Sequence, residues 1–221
     1  MFSDGFRVAT QNGFQEVASQ LAIEDAEIHA IVGQCRVAVP RVREGLRANL
    51  GRDNFALQRA SLVFALCRRT SEAAVLVDEL SRRYSQATLT MRLAIPIAQA
   101  ALRLAEGDAP GAVAMLEIAR PYEHSPLSEY WVWYLRGLAH LQLKEPRSAR
   151  DAFNTILAHP GEAPLSPLVA LAHLGAARAA VLADEIPDAR RAYEEFFRTW
   201  RDADPDIAFV GEAHQELARL Q

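Results

Sequence analysis

The stretch Tyr130 to Pro160 reads YWVWYLRGLAHLQLKEPRSARDAFNTILAHP, and its spacing of small and large side chains decides the fold. Gly137 lies four residues after Trp133, Ala149 twelve after Gly137, and Phe153 four after Ala149. Two antiparallel helices that cross closely need side chains without bulk at the crossing, because interaxial distance follows the side chains at the contact. Gly137 and Ala149 mark that level, while Trp133 and Phe153 fill the space beside it. Pro146 is expected to open the second helix, where its missing N–H would have no partner in any case. The stretch is therefore a helix–turn–helix unit.

The same rung recurs outward from Ala149 at Ala189, Ala112, Ala73 and Ala38, with separations of 40, 37, 39 and 35 residues. The opposite side of each crossing is assigned to Ala177, Ala100, Ser61 and Ala26. Pro187 opens one second helix, and Tyr193 takes the place that Phe153 holds in the unit before it. Gly107-Asp108 and Gly33-Gln34 read as turns, and Ser71 as a helix cap. Ser125-Pro126 and Ser166-Pro167 place a cap and a first-turn proline before two further helices. A helix from about Phe6 to Ile31 begins the chain. Beyond Trp200 the pattern breaks from Asp202 to Asp206, and Ile207 to Leu220 reads as one more amphipathic helix. Glu212, Gln215, Glu216 and Arg219 are expected to give it a polar outer face. No Ser/Gly-rich linker divides the chain. The expectation is one all-α domain over 1–221, with five helix pairs and a closing helix at about 206–220.

This ladder resembles the tetratricopeptide (TPR) repeat, in which helix pairs stack into a right-handed superhelix. The Tyr130 to Pro160 unit has the aromatic, Gly, Ala and Phe of that repeat. It departs at Arg136, where the repeat has Leu, and at His140, where it has Tyr. The segment GAARAAVLADEIPDARRAYEEFFRTWRDADPDI, followed by EAHQELARL, is similar to the C-terminal TPR region of certain bacterial serine/threonine protein kinases. The likeness covers about Gln34 to Leu220 and is most specific at DADPDI, Asp202 to Ile207. It implies a sensory or protein-binding region of a kinase signalling protein. The kinase catalytic motifs themselves, a glycine-rich loop, HRD and DFG, do not occur.

Composition agrees with helices: half of the 221 residues are apolar, with only 11 Gly and 11 Pro. Net charge is −4, so no global pull toward nucleic acid or anionic lipid is expected. Arg36 to Arg83 nevertheless holds ten Arg against five acidic residues. Arg41, Arg43, Arg47, Arg82 and Arg83 are expected on the outer face of second helices. No aromatics alternate with them for base stacking, which disfavours nucleic acid as the partner. Cys35 and Cys67 form no CxxC pattern and read as two half-buried helical thiols. The N-terminus lacks a basic start followed by an apolar run, so no signal peptide is expected. The longest uncharged run, Ala163 to Ala177, is interrupted by Pro164 and Pro167 and is too short to span a bilayer. Cytoplasmic placement is the default, or extracytoplasmic if a membrane helix precedes this region in a longer parent.

Chemistry is hard to place. The six histidines make no HExxH motif and no His/Cys pair at metal spacing, so no metal or cofactor is expected. His140 and His173, on first helices of adjacent pairs, are close enough in register to meet, but packing is the better reading. No nucleophile triad or phosphate loop can be assigned, and the chain reads as non-catalytic. What the TPR resemblance implies is a concave binding face along the first helices. Counted from the rungs, that face includes Phe55, Leu62, Ile97, Leu104, Trp131, Tyr134, Leu138 and Arg178. It is mostly apolar, with Arg178 its only charge, which disfavours clamping of an acidic C-terminus. A protein or peptide partner is expected there, with Trp131 and Tyr134 as anchors. The alternatives are self-association into a dimer, a small apolar ligand in the same groove, or side chains that pack on one another and leave no groove.

Overall fold

The computed structural model describes residues 2–49, 52–202 and 207–220. Among these residues there are twelve α-helices and no strand. They are α1 (Phe2–Gln11), α2 (Gln15–Ile31), α3 (Cys35–Ala48), α4 (Asn54–Leu66), α5 (Thr70–Arg83), α6 (Ile95–Glu106), α7 (Ala109–Ala119), α8 (Trp131–Gln142), α9 (Pro146–Ala158), α10 (Leu168–Leu182), α11 (Ile186–Thr199) and α12 (Ala208–Ala218). The chain divides into two compact units, Met1–Glu106 and Gly107–Gln221.

Each rung named from the sequence is buried. Ala26, Ala38, Ala73, Ala100, Ala112, Ala149, Ala177 and Ala189 are at 0% exposure and Ser61 is at 1%. In the first unit α2 packs on α3 and α4 on α5, while α2, α4 and α6 contact one another in succession. In the second, α8 packs on α9 and α10 on α11, with α8 against α10. Phe153 of α9 is the centre of that second arrangement. It is fully buried, and its ring lies against the bare Cα of both Gly137 on α8 and Gly175 on α10.

The turns repeat as closely as the rungs. Gly33, Arg68, Gly107, Lys144 and Asp184 all have positive φ, and each lies five residues before a rung alanine. In four of these turns the next residue donates its N–H to the carbonyl five residues back: Gln34 to His29, Arg69 to Phe64, Glu145 to His140 and Glu185 to Ala180. That bond closes a helix C-terminus through a left-handed residue and satisfies a carbonyl the helix leaves free. Three of the five are not glycine, so the chain reverses at the same step despite the local cost.

Several local expectations change. The first helix is two, α1 and α2, because the chain turns at Gly13 (φ +76°). Ser71 does not cap α5, which starts at Thr70 without a side-chain cap. Ser125 caps only a short 3-10 turn at Pro126–Ser128. Glu129 and Tyr130, both left-handed, then delay α8 until Trp131. Tyr130 earns its place by hydrogen bonding: its hydroxyl donates to the His159 carbonyl (2.6 Å) and accepts from the Ala163 N–H (2.9 Å). Pro167 precedes α10 rather than beginning it. Of the DADPDI motif only Asp202 and Ile207 lie within the described residues; 203–206 lie outside them. Glu216 on α12 turns inward instead of outward, because Arg178 and Tyr193 supply it with donors.

Candidate functional site

The residues assigned to a concave face are mostly interior. Leu62, Ile97 and Trp131 are at 4% exposure and Leu104 at 9%, so the chain's own packing covers them. Phe55 is half-buried beneath the Arg59 guanidinium, 5.1 Å from its ring centre. Tyr134 sits edge-on to Trp131 (6.1 Å) and Phe153 (6.0 Å), and burial pushes its hydroxyl up to about 12 despite nearby Arg178. Leu138 keeps partial exposure. Arg178 is engaged at both ends of its fork by Glu216 of α12 (3.0 and 2.9 Å), and Tyr193 donates to the same carboxylate (2.7 Å). Burial alone would raise the Glu216 carboxyl, but these donors outweigh it and hold it below its ordinary value. The one charge in the expected groove therefore fastens the closing helix.

An open apolar surface exists elsewhere, on the first unit. A cavity of about 470 Å³ lies among α3, α4 and α5, lined by Arg43, Leu46, Arg47, Phe64, Ser71, Glu72, Val75 and Leu76. Phe64 and Leu76 form its floor, and Val75 stands 64% exposed at its edge. The α5 stripe that packs inward is Ala73, Leu76, Val77 and Leu80. Val75 is thus an apolar side chain on the polar face of an amphipathic helix, a signal present in the sequence and missed there. Arg43 of α3 crosses to Glu72 of α5 through Nε (3.0 Å) and Nη2 (2.8 Å).

The arginine strip falls into two groups. Arg41 is not on the outer face: it bonds Asp25 (2.9 Å) and Glu44 (2.7 Å) and covers the Phe6 ring at 4.4 Å, tying α1, α2 and α3 together. Arg52 grips Glu79 with two bonds (2.8 and 2.7 Å), Arg59 pairs with Glu27, and Arg82 and Arg83 pair along α5 with Asp78 and Glu79. Arg36, Arg47, Arg68 and Arg69 are exposed and have no carboxylate partner among the described residues. Arg47 lines the apolar cavity. The other three line a smaller one of about 270 Å³ with Cys35, Val39 and Cys67. The two linings draw on neighbouring residues: Arg69 and Ser71 are two residues apart, and Val39 and Arg43 one helical turn.

Cys35 and Cys67 are joined in a disulfide with Cα atoms 5.4 Å apart, not held as two thiols. Cys35 is the first residue of α3 and Cys67 the first beyond α4. The antiparallel packing of α3 against α4 brings that start and that end together. A separation of 32 residues with no paired motif leaves nothing in the sequence to announce it.

The histidines serve packing and turns. His140 meets Glu145 (2.7 Å) within its own turn, and His124 meets Glu162 (2.9 Å). His173 is half-buried, and desolvation holds its pKa below the ordinary 6.5, with Glu195 opposing and Arg198 assisting. A lowered folded-state value means that the unfolded chain binds the extra proton. The stability from keeping His173 neutral is complete above about pH 6.5 and is lost as pH falls below it. His173→Gln is expected to flatten part of the fall in melting temperature between pH 7 and pH 5. An unchanged slope would assign that fall to other groups.

No family model, no curated protein and no solved structure matches this chain.

Proposed function

We propose that the chain is a non-catalytic protein-docking module of the tetratricopeptide kind. In this reading its helix pairs stack as a right-handed superhelix, and the furrow between α3 and α5 takes an acidic amphipathic segment of a partner protein. The recurrence of buried rungs and left-handed turn residues at common intervals supports the repeat reading. The observation that carries the docking reading is the apolar cavity lined by Arg47, which, with Arg36, Arg68 and Arg69, has no carboxylate partner among the described residues. Its floor of Phe64 and Leu76 suits one or two large apolar side chains laid down by a helix. Arg36 and Arg47 lie on one face of α3 about 16 Å apart, with Arg43, held by Glu72, between them, so carboxylates along such a helix would meet guanidinium groups at both ends of that face. The first unit carries thirteen basic residues against eleven acidic, a net +2, in a chain whose total is −4.

The docking surface thus moves from the first helices, where the sequence put it, to the outer side of the second helices. The likeness to kinase-associated TPR regions suggests a signalling parent. The Cys35–Cys67 disulfide favours an oxidising compartment over the cytoplasmic default. None of the described helices is long and apolar enough to cross a membrane.

The test is a fluorescence-anisotropy titration of the full chain with a labelled Leu/Glu amphipathic helical peptide. A sequence-scrambled peptide and a Leu/Lys version serve as controls. Binding of the acidic amphipath alone, weakened by salt, is expected. Val75→Asp and Arg47→Glu should each reduce affinity at least about tenfold without changing the melting temperature, since both side chains are exposed. Equal binding by the variants, or none by the wild type, would overturn the proposal. A concentration-dependent dimer that buries Val75 would instead give the furrow to a second copy.

A further inference from the structure

The Cys35–Cys67 bond does more than join two helices. Both cysteines line the 270 Å³ cavity, and the three arginines that line it with them lack carboxylate partners among the described residues. The two cysteines also stand in opposite backbone fields. Cys35 occupies the first position of α3, whose N-terminus receives no side-chain cap from Gln34. The Cys35 and Val37 N–H groups are taken by the Gly33 and Gln34 carbonyls, so it is the positive end of the helix dipole that stabilises a thiolate there. Cys67 directly follows α4, at the carbonyl end, where a thiolate is disfavoured.

We propose that this disulfide is a thiol-exchange site, addressed by an anionic thiol that attacks Cys67 and expels Cys35. The cavity gives the incoming sulfur its approach, and Arg36, Arg68 and Arg69 attract its negative charge. The thiolate forms a bond to Cys67 Sγ as the Sγ–Sγ bond breaks, and that electron pair stays on Cys35 Sγ. Exchange is faster when the departing sulfur has the lower pKa, which selects Cys35 as leaving group. A second equivalent of the same thiol attacks the outer sulfur of the adduct. It releases Cys67 and a small-molecule disulfide, so two thiols are oxidised and the protein disulfide is reduced. Cys67 is thereby a modification site for acidic thiols, and the Cys35 thiolate left in the arginine cluster is the group that reverses the adduct.

The experiment uses the full folded chain at low ionic strength with mercaptoethanesulfonate, 2-mercaptoethanol and cysteamine, an anionic, a neutral and a cationic thiol. Rates are compared at equal thiolate concentration after correction for thiol basicity. The anionic thiol is expected to react about tenfold faster than the cationic one. About 0.5 M salt, or the exposed double variant Arg36→Gln/Arg69→Gln, should remove most of that difference. Acid quenching, alkylation and peptide mass mapping should find the thiol on Cys67 and the alkyl group on Cys35. Rates independent of thiol charge, an adduct on Cys35, or reduction only as fast as global unfolding would each overturn the proposal. The charge series needs no variant, and none of its outcomes depends on peptide binding in the neighbouring furrow.

Discussion

Gly175→Ala and Gly137→Ala are each expected to destabilise the second unit by about 2–3 kcal/mol, although alanine is the better helix former at both sites. A Cβ on Gly175 would lie 2.5 and 2.6 Å from Phe153 Cε1 and Cε2, and one on Gly137 2.5 Å from Cζ. A ring hemmed from both sides has no free direction in which to yield. Phe153→Ala removes the ring itself and should cost about 3–5 kcal/mol, as for other buried aromatics. The decisive measurement is the double-mutant cycle in urea. In the Phe153→Ala background, Gly175→Ala should change sign and stabilise by about 0.5–1 kcal/mol, since only the helix-propensity difference remains. An unchanged cost in both backgrounds would mean that the ring is not what the glycines accommodate.

The second large effect belongs to the first unit. Cys35→Ser/Cys67→Ser should cost about 3–4 kcal/mol, the chain-entropy value for a 32-residue loop. Because the bond lies wholly within Met1–Glu106, the loss should be local. Amide hydrogen exchange should show faster opening of α3 and α4 while α8 to α11 keep their protection. Uniform loss across both units would tie their stabilities together, and no loss at all would mean that the bond is not formed in solution. Chemical reduction of the wild type should reproduce the variant.

How much of this could be read beforehand depends on whether the signal is local. The rungs at Ala38, Ala73, Ala112, Ala149 and Ala189 were legible because helix crossings leave a periodic demand for small side chains. The turns at Gly33 and Gly107 were legible because glycine tolerates positive φ. The matching turns at Arg68, Lys144 and Asp184 were not, since Arg and Lys carry no preference for that conformation and Asp far less than glycine. The eight residues assigned to a concave face lie on α4, α6, α8 and α10. Whether Leu62, Ile97 or Trp131 faces a groove or a neighbour depends on how closely successive pairs stack, and repeat position does not specify it. For Arg178 the same held: its partner Glu216 lies 38 residues on, across a segment whose path no local rule supplies.

The sequence alone determined an all-helical chain, because apolar periodicity and small-residue spacing act within a few turns of one helix and its immediate partner. Only the tertiary structure decided which apolar residues stay open, which arginines find carboxylates, and that Cys35 meets Cys67. Each of these outcomes is set by contacts between elements distant in sequence, and such contacts leave no periodic trace in the chain that makes them.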